Sequence, residues 1–359
     1  MKIAVFAGID GNASIDRYAR ELAANVPPGI DAELVRPVKS PGLKGALYDR
    51  YLKYLRLARQ TRADCNIIVS ESYAFLLLGL PPEHTVVVCH DLHPLIYRGW
   101  SGTYRLRFKL NLRIMRRARA IIAISEHTKQ DLLKYCPFIP SEKVVAIHNG
   151  LEHKWKRVED EARLEHIRRS YQLDGKKVVL HVGNDNWYKN VATLLRAFAR
   201  IDDAQTVLVK VGDCGPENQE LIQQLGIANR FVHIRGADDD QLMCLYSLAG
   251  MLVFPSLHEG FGWPPLEAMA CGCPVITTRQ ASLPEVCGEA CLYVDPRDVD
   301  GIAAAIRSLT ENSEKRDDLI RRGLLQSEKF DWRQTAEGIL QAVHCSQESS
   351  LLTGPNKAG

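Results

Sequence analysis

The sequence predicts an α/β protein built from two doubly wound parallel sheets, and three observations carry that expectation. Short apolar, β-rich runs alternate with helical stretches through residues 2–150, a polar and charge-mixed stretch interrupts at 152–174, and the alternation starts afresh at 177. Apolar strands that each feed a helix belong to a parallel sheet covered on both faces. At 359 residues the chain is too long for one ordinary core and suits two. The expected division is a first domain over 1–165 and a second over 166–330. A C-terminal helix at 331–345 is expected to cross back to the first domain, and 346–359 to form a flexible tail.

In the first half the strands read KIAVFAG (2–8), AELVRP (32–37), CNIIVSE (65–71), TVVVCHD (85–91), AIIAIS (120–125) and KVVAIHNG (143–150), with amphipathic helices near 14–26, 46–61, 103–118 and 126–135. In the second they read KVVLHVG (177–183), TVLVKVG (206–212), FVHIRG (231–236), MLVFPS (251–256), PVITT (274–278) and CLYVDP (291–296), each leading into a helix or turn. The end is helical at 298–311, 314–328 and 332–344.

Composition removes several classes. Hydrophobic content of 46% and charged content of 25% are those of a globular protein, not a disordered or fibrous one. FLLLGL (75–80) and VVVC (86–89) fall far short of the roughly 20 residues that span a bilayer. MKIAVFAGIDGN reads as a first buried strand, not a signal peptide, so a cytoplasmic protein is expected. The ten cysteines lack the paired spacing of a zinc site and are expected to be reduced, mostly buried thiols. Charge is uneven: 22 Lys and Arg stand against 13 Asp and Glu in residues 1–150, and 24 against 30 in the remainder. Different partners for the two halves follow.

In doubly wound sheets, ligands sit beyond the carboxyl ends of the strands, and two such domains face to face leave a cleft lined by those loops. The richest loop is FPSLHEGFGWPPLEAMACGCPVITT (254–278). Pro264 and Pro265 suit the first turn of a helix, where a missing N–H is no loss. The N–H groups of that turn, with those of Gly260, Phe261 and Gly262, make an anion and hydroxyl site. Glu259 precedes the loop and Glu267 lies in the helix, so the two carboxylates reach different parts of one ligand. A glycine turn with a helix-start acid complementing the dipole is the plainer reading.

Glu259 and Glu267 enclose seven residues, and the segment resembles the E-x7-E signature of the retaining glycosyltransferases of family 4, which have the GT-B fold. EAMACGCPV (267–275) and SLPEVCGEACLYVDPRD (282–298) resemble further motifs of that family, as do His90-Asp91, Ile124-Ser125-Glu126 and Asn149-Gly150 upstream. The resemblance covers about residue 2 to 344 and is stronger in the second half. It implies two Rossmann-like domains facing across a cleft, the first binding an acceptor and the second a nucleotide-sugar. It implies that Glu259, with the N–H groups of Gly260, Phe261 and Gly262, holds a hydroxyl of the donor sugar, and that Glu267 accepts from the ribose hydroxyls. Carboxylates suit both tasks because charge-assisted bonds to hydroxyls are strong.

For the diphosphate, the family carries Gly-Arg after a strand and Lys five residues later. Here Lys189 fits but Asn184 replaces the Arg, which removes one cation from a developing leaving group. The base is expected against 212–214 and 234–237, where Gly212 and Gly236 permit close approach. By the same resemblance His90 lies beside the transferred sugar, and Gly11 approaches the diphosphate from the first domain. Gly8-x-x-Gly11 is unlike a dinucleotide fingerprint, so no nicotinamide cofactor is expected. Asp238-Asp239-Asp240 reads as a helix start, and no metal is expected. His90, Glu259 and Lys189 are thus the candidate catalytic residues of a retaining, metal-independent hexosyltransferase. Its partners would be a nucleotide-sugar donor and a saccharide or lipid-linked acceptor, in the assembly of a cell-surface polysaccharide. A nucleotide-sugar epimerase of the same architecture, and a catalytically weak nucleotide- or glycan-binding protein, stay open.

TYRLRFKLNLRIMRRAR (103–119) holds seven cations and no acid. As a helix it places Tyr104, Phe108, Leu112 and Met115 on one face, broadened by Leu110 and Ile114, opposite Arg105, Lys109, Arg113, Arg116 and Arg117. An anionic membrane surface on the inner leaflet is one partner for such a helix; an ordinary solvated face is the other reading. Nucleic acid is not expected, since no base-stacking motif accompanies the charge.

Overall fold

The computed structural model describes residues 1–351 except 10, 39–47 and 98, with side chains described to 343. The chain divides into two compact units, Met1–Gly150 with Asp331–Gly359, and Leu151–Phe330.

The first unit holds β1 (Lys2–Phe6), β2 (Asp31–Val35), β3 (Cys65–Ile68), β4 (Thr85–Cys89), β5 (Ala120–Ala123) and β6 (Val144–Ala146). They form one sheet in the order β2-β1-β3-β4-β5-β6, and every pair is parallel. The chain leaves β1 toward one edge and returns beside it as β3, so the strand order reverses between those two. Ile3 to Phe6, Val86 to Cys89 and Ile121 to Ala123 are fully buried, as strands covered on both faces must be. Helix Ala13–Ala24 begins where the Asn12 side chain accepts from the Ser14 and Ile15 N–H groups, and Glu126–Tyr135 where Ser125 accepts from Thr128. The apolar run after β3 forms a 3₁₀ helix, Glu71–Leu78, its Tyr73 to Leu77 side chains buried. Within the expected helix at 46–61, 46 and 47 lie outside the described residues. The rest is a π-helical turn, Asp49–Lys53, running into the α-helix Tyr54–Gln60.

The second unit holds β7 (Lys177–Val182), β8 (Thr206–Val211), β9 (Phe231–Ile234), β10 (Met251–Phe254), β11 (Val275–Thr278) and β12 (Cys291–Val294). Their order is β12-β11-β10-β7-β8-β9, again parallel throughout. The order reverses between β7 and β10.

The boundary falls at Gly150, not 165. Leu151 N–H donates to the Phe330 carbonyl (3.1 Å), and Val158 N–H to Ser247 Oγ (3.0 Å), which attaches 151–165 to the second unit. The polar stretch also contains a helix that periodicity missed, Glu161–Ser170, capped by Asp160. Only Leu164 and Ile167 of that helix are buried, too thin a stripe to register in sequence. The last helix spans Trp332–Leu351, past the expected start of the tail at 346, and 352–359 lie outside the described residues.

Candidate functional site

The reversal in the second sheet brings the loop after β7 against the loop after β10. Asn190 adopts a left-handed conformation (φ 58°), and its side-chain amide donates to the carbonyls of Pro255 (3.0 Å) and Pro296 (2.6 Å). Leu257 N–H donates to the Tyr188 carbonyl (2.7 Å). These bonds fix Lys189 so that its Nζ lies 2.8 Å from Glu259 Oε1 and 4.8 Å over the Phe254 ring. Lys189 and Glu259 are each only 8% exposed. A pair this buried is held by mutual attraction against the cost of leaving water.

Glu259 heads a rigid loop. The Ser282 hydroxyl bridges the Glu259 and Phe261 carbonyls (2.9 and 2.6 Å), and Phe261 packs edge-on to Trp263 and Phe330. Gly262 (φ 117°) then launches helix Trp263–Ala270 with proline in its first turn. Glu267, 4% exposed, accepts from the Tyr246 hydroxyl (3.0 Å). Burial, then the Glu267 charge, pushes the Tyr246 phenol well up, so it stays a donor. Tyr246 carries no signal in sequence, since a tyrosine in a helix looks like core.

Gly212 and Gly236 end β8 and β9 on the same side of the sheet. A Cβ on Gly212 (φ 94°) would fall 2.2 Å from the Gly183 carbonyl oxygen. The close approach there is made by backbone of the neighbouring loop. Gly236 is exposed, with nothing within 4 Å of a Cβ. Asn184, also exposed, accepts from Asn186 N–H (3.2 Å), a turn-forming role. Asp238 caps helix Asp239–Leu248 in a capping box with Gln241. Asp239 and Asp240 pair with Lys154 (2.6 Å) and Arg163 (3.4 Å), so the acidic triplet serves the helix start.

In the first unit, Gly11 (φ 74°) precedes the Asn12 cap and lines a cavity of about 320 Å³ at the ends of β1 and β2, with Gly8, Asp16 and Arg36. His90 follows β4. Its Nε2 lies 2.7 Å from the Val69 carbonyl, which accepts only, so Nε2 carries the hydrogen and Nδ1 is the acceptor nitrogen. Its ring stands edge-on to Tyr18 (5.2 Å between centroids). Burial lowers the imidazole pKa, so the ring is neutral at pH 7. His90 N–H donates to Glu71 Oε2 (3.0 Å). Glu71 is 6% exposed, and burial, then the Asp91 charge, pushes it up to about 7. Sequence reasoning missed Glu71; an acid three residues past the end of the buried strand β3 was the available signal.

Helix Gly102–Met115 corrects the expected face. Phe108, Asn111, Leu112 and Met115 are buried, but Leu110 is 49% and Leu106 60% exposed, one turn apart among Lys109 and Arg113. Nine cysteines within the described residues are free and buried.

The sequence matches the profile described as Glycosyl transferases group 1 over residues 164–326 and that described as Glycosyltransferase Family 4 over 15–155. The chain belongs to the family-4 type of glycosyltransferases and has the GT-B fold. It is 33% identical to the serotype-specific mannosyltransferase WbdA of Escherichia coli over 286 residues, 75% of this chain and 35% of that protein. The chain thus spans about a third of that relative's length. It is 28% identical to the O-antigen chain mannosyltransferase B of Escherichia coli over 72% of this chain and 70% of that one. The crystal structure of HepE of Anabaena in complex with UDP and glucose superposes with a TM-score of 0.76 at 19% identity, covering 96% of this chain and 99% of that one.

Proposed function

We propose that the protein moves a sugar from a nucleotide-diphosphate donor to a hydroxyl of a saccharide or lipid-linked acceptor. Transfer retains anomeric configuration and needs no metal or other cofactor, in the cytoplasm, during assembly of a cell-surface polysaccharide. The observation that carries this reading is the buried Lys189–Glu259 pair at the strand reversal, on the loop that leads into the Glu267 helix. Donor binding would exchange partners: Lys189 turns to the diphosphate, and Glu259 to a sugar hydroxyl. Glu267, already oriented by Tyr246, would accept from the ribose hydroxyls. The leaving diphosphate takes the acceptor proton on the face it departs from, with neutral His90 as a hydrogen-bonding group rather than a charge. That both Escherichia coli relatives are named mannosyltransferases supports mannose as the sugar.

A panel of nucleoside-diphosphate sugars, screened for thermal stabilisation and then for acceptor-dependent nucleotide release, tests the reading. Release without acceptor would favour an epimerase, and no release a binding protein. The anomeric proton coupling of the product reports retention, and turnover should stay within twofold under a chelator. Glu267→Ala is expected to weaken donor use about a hundredfold in kcat/KM, since it removes charge-assisted bonds and strands the Tyr246 hydroxyl. An unchanged value would remove Glu267 from the site.

The surface of helix Gly102–Met115 supports docking on anionic lipid. Leu106, Leu110 and Trp100 (42% exposed, stacked on Tyr104 at 4.8 Å) stand among the cations. No helix within the described residues is long and apolar enough to cross a membrane. Sedimentation with phosphatidylglycerol vesicles should be lost in Leu106→Asp/Leu110→Asp and by about 0.5 M salt. Equal sedimentation of both forms would leave the face merely solvated.

A further inference from the structure

A buried cation in the second unit is not used by the chemistry above. Lys210 lies inside β8, in the apolar run TVLVKVG, and is 1% exposed. Its Nζ donates to the carbonyls of Gly183 (2.5 Å) and Val211 (3.0 Å). Within the described residues no carboxylate lies within ion-pair distance of it. Burying an unpaired ammonium in a strand costs stability, and an apolar residue of the same length would be cheaper. A group kept there against that cost is a candidate for function.

Its position points to which function. The Gly183 carbonyl that Lys210 binds belongs to the same peptide as the Asn184 N–H, and that N–H has no partner within the described residues. Drawing electron density from the carbonyl makes the N–H a stronger donor. The neighbouring Gly212 carbonyl is likewise held by His233 Nε2 (2.8 Å). The Gly183–Asn184 turn sits at the carboxyl end of β7, beside Lys189, whose own charge is matched by Glu259. The Asn184 side chain is neutral, so without Lys210 this end of the sheet offers a diphosphate little net positive charge.

We propose that Lys210 supplies the second positive charge for the donor's diphosphate, acting through the Gly183–Asn184 peptide as a positioning residue. The inference rests on the reading of this unit as the nucleotide-sugar site. The groups facing Lys210 are His181 on β7, Asp185 and Lys189 after it, Asp213 and Cys214 after β8, and His233 on β9. Burial dominates them and lowers the ammonium pKa to about 8. The charge is therefore present below that pH and lost above it. His181, pushed down to about 3 by burial and by Lys210, stays neutral throughout and does not mask the change.

The test measures dissociation constants of ADP, GDP, UDP and dTDP, and of the matching monophosphates, for the full chain and for Lys210→Met at pH 7 and pH 9. The wild-type protein should lose about fivefold or more in affinity for its preferred diphosphate between pH 7 and 9. Lys210→Met should bind about tenfold more weakly at pH 7 and show no loss toward pH 9. Its melting temperature should be equal or higher, because a buried charge has been replaced by an apolar chain of similar length. The monophosphates should be less affected. Equal binding by the two proteins at pH 7, or the same pH dependence in both, overturns the proposal. If Lys210→Met does not fold, the wild-type pH series decides alone, and flat binding from pH 7 to 9 rejects the role. Should no diphosphate bind the wild-type chain at all, the reading of the site fails, and this inference with it.

Discussion

Lys189→Met is expected to lower kcat/KM about a thousandfold and to destabilise the second unit by about 3–5 kcal/mol, two losses with different origins. The stability loss comes from what is left behind. Glu259 is 8% exposed and sits 2.8 Å from Lys189 Nζ, so removing the ammonium strands a carboxylate where water scarcely reaches. The rate loss comes from the departing diphosphate, which loses a cation at the point where negative charge develops. A second substitution separates the two. Lys189→Met/Glu259→Gln has no stranded charge, so its melting temperature should recover most of the way toward wild type while its activity stays low. Chemical denaturation and donor kinetics of the single and double variants check this. Activity within threefold of wild type in the single variant would make the pair a structural strut only.

Which parts of this arrangement were legible in the sequence follows from how far apart its members lie in the chain. Strand cores such as TVVVC and KVVLHV announce themselves because both faces are buried and their central positions, VVV and VVL, are apolar. Glu259 and Glu267 were legible because the loop, the prolines and the helix that relate them are contiguous. The Lys189–Glu259 pair was not, since 70 positions separate its members and only the order β10-β7 brings them together. Glu71, held by His90 across 19 positions, was hidden for the same reason. Lys210 was read as one more residue of a strand, because sequence gives no account of a cation that bonds to backbone. Leu110 was assigned to the core face because a spread of leucines at near-even spacing fits a broad helical stripe; packing selects the narrower one through Phe108, Asn111, Leu112 and Met115.

Gly150→Ala is expected to do more damage than any other single-methyl addition in the first unit. A Cβ there would lie 2.2 Å from the Trp332 backbone nitrogen, 2.5 Å from its Cα and 2.6 Å from its Cγ. Two of those atoms are backbone, so no rotamer change relieves the clash, and the start of the last helix must move. Trp332 is 1% exposed and stands edge-on to Tyr18, which is itself fully buried and edge-on to His90, each pair 5.2 Å between centroids. Thr335 Oγ1 also donates to the His148 carbonyl (2.8 Å). Displacing the helix start therefore loosens the support of the imidazole as well as the core. A loss of about 3–5 kcal/mol is expected, the scale of a backbone clash or of truncating a buried tryptophan, with a fall in melting temperature of about 8 °C or more. Turnover measured well below the melt should also fall, by about tenfold, because His90 no longer has a fixed neighbour. Gly102→Ala is the matched control: nothing lies within 4 Å of its Cβ and its backbone is helical, so its melting temperature should hold or rise slightly. If the two alanine variants melt together, the last helix is not seated on residue 150 in solution, and the chain of rings from Trp332 to His90 does not position the imidazole.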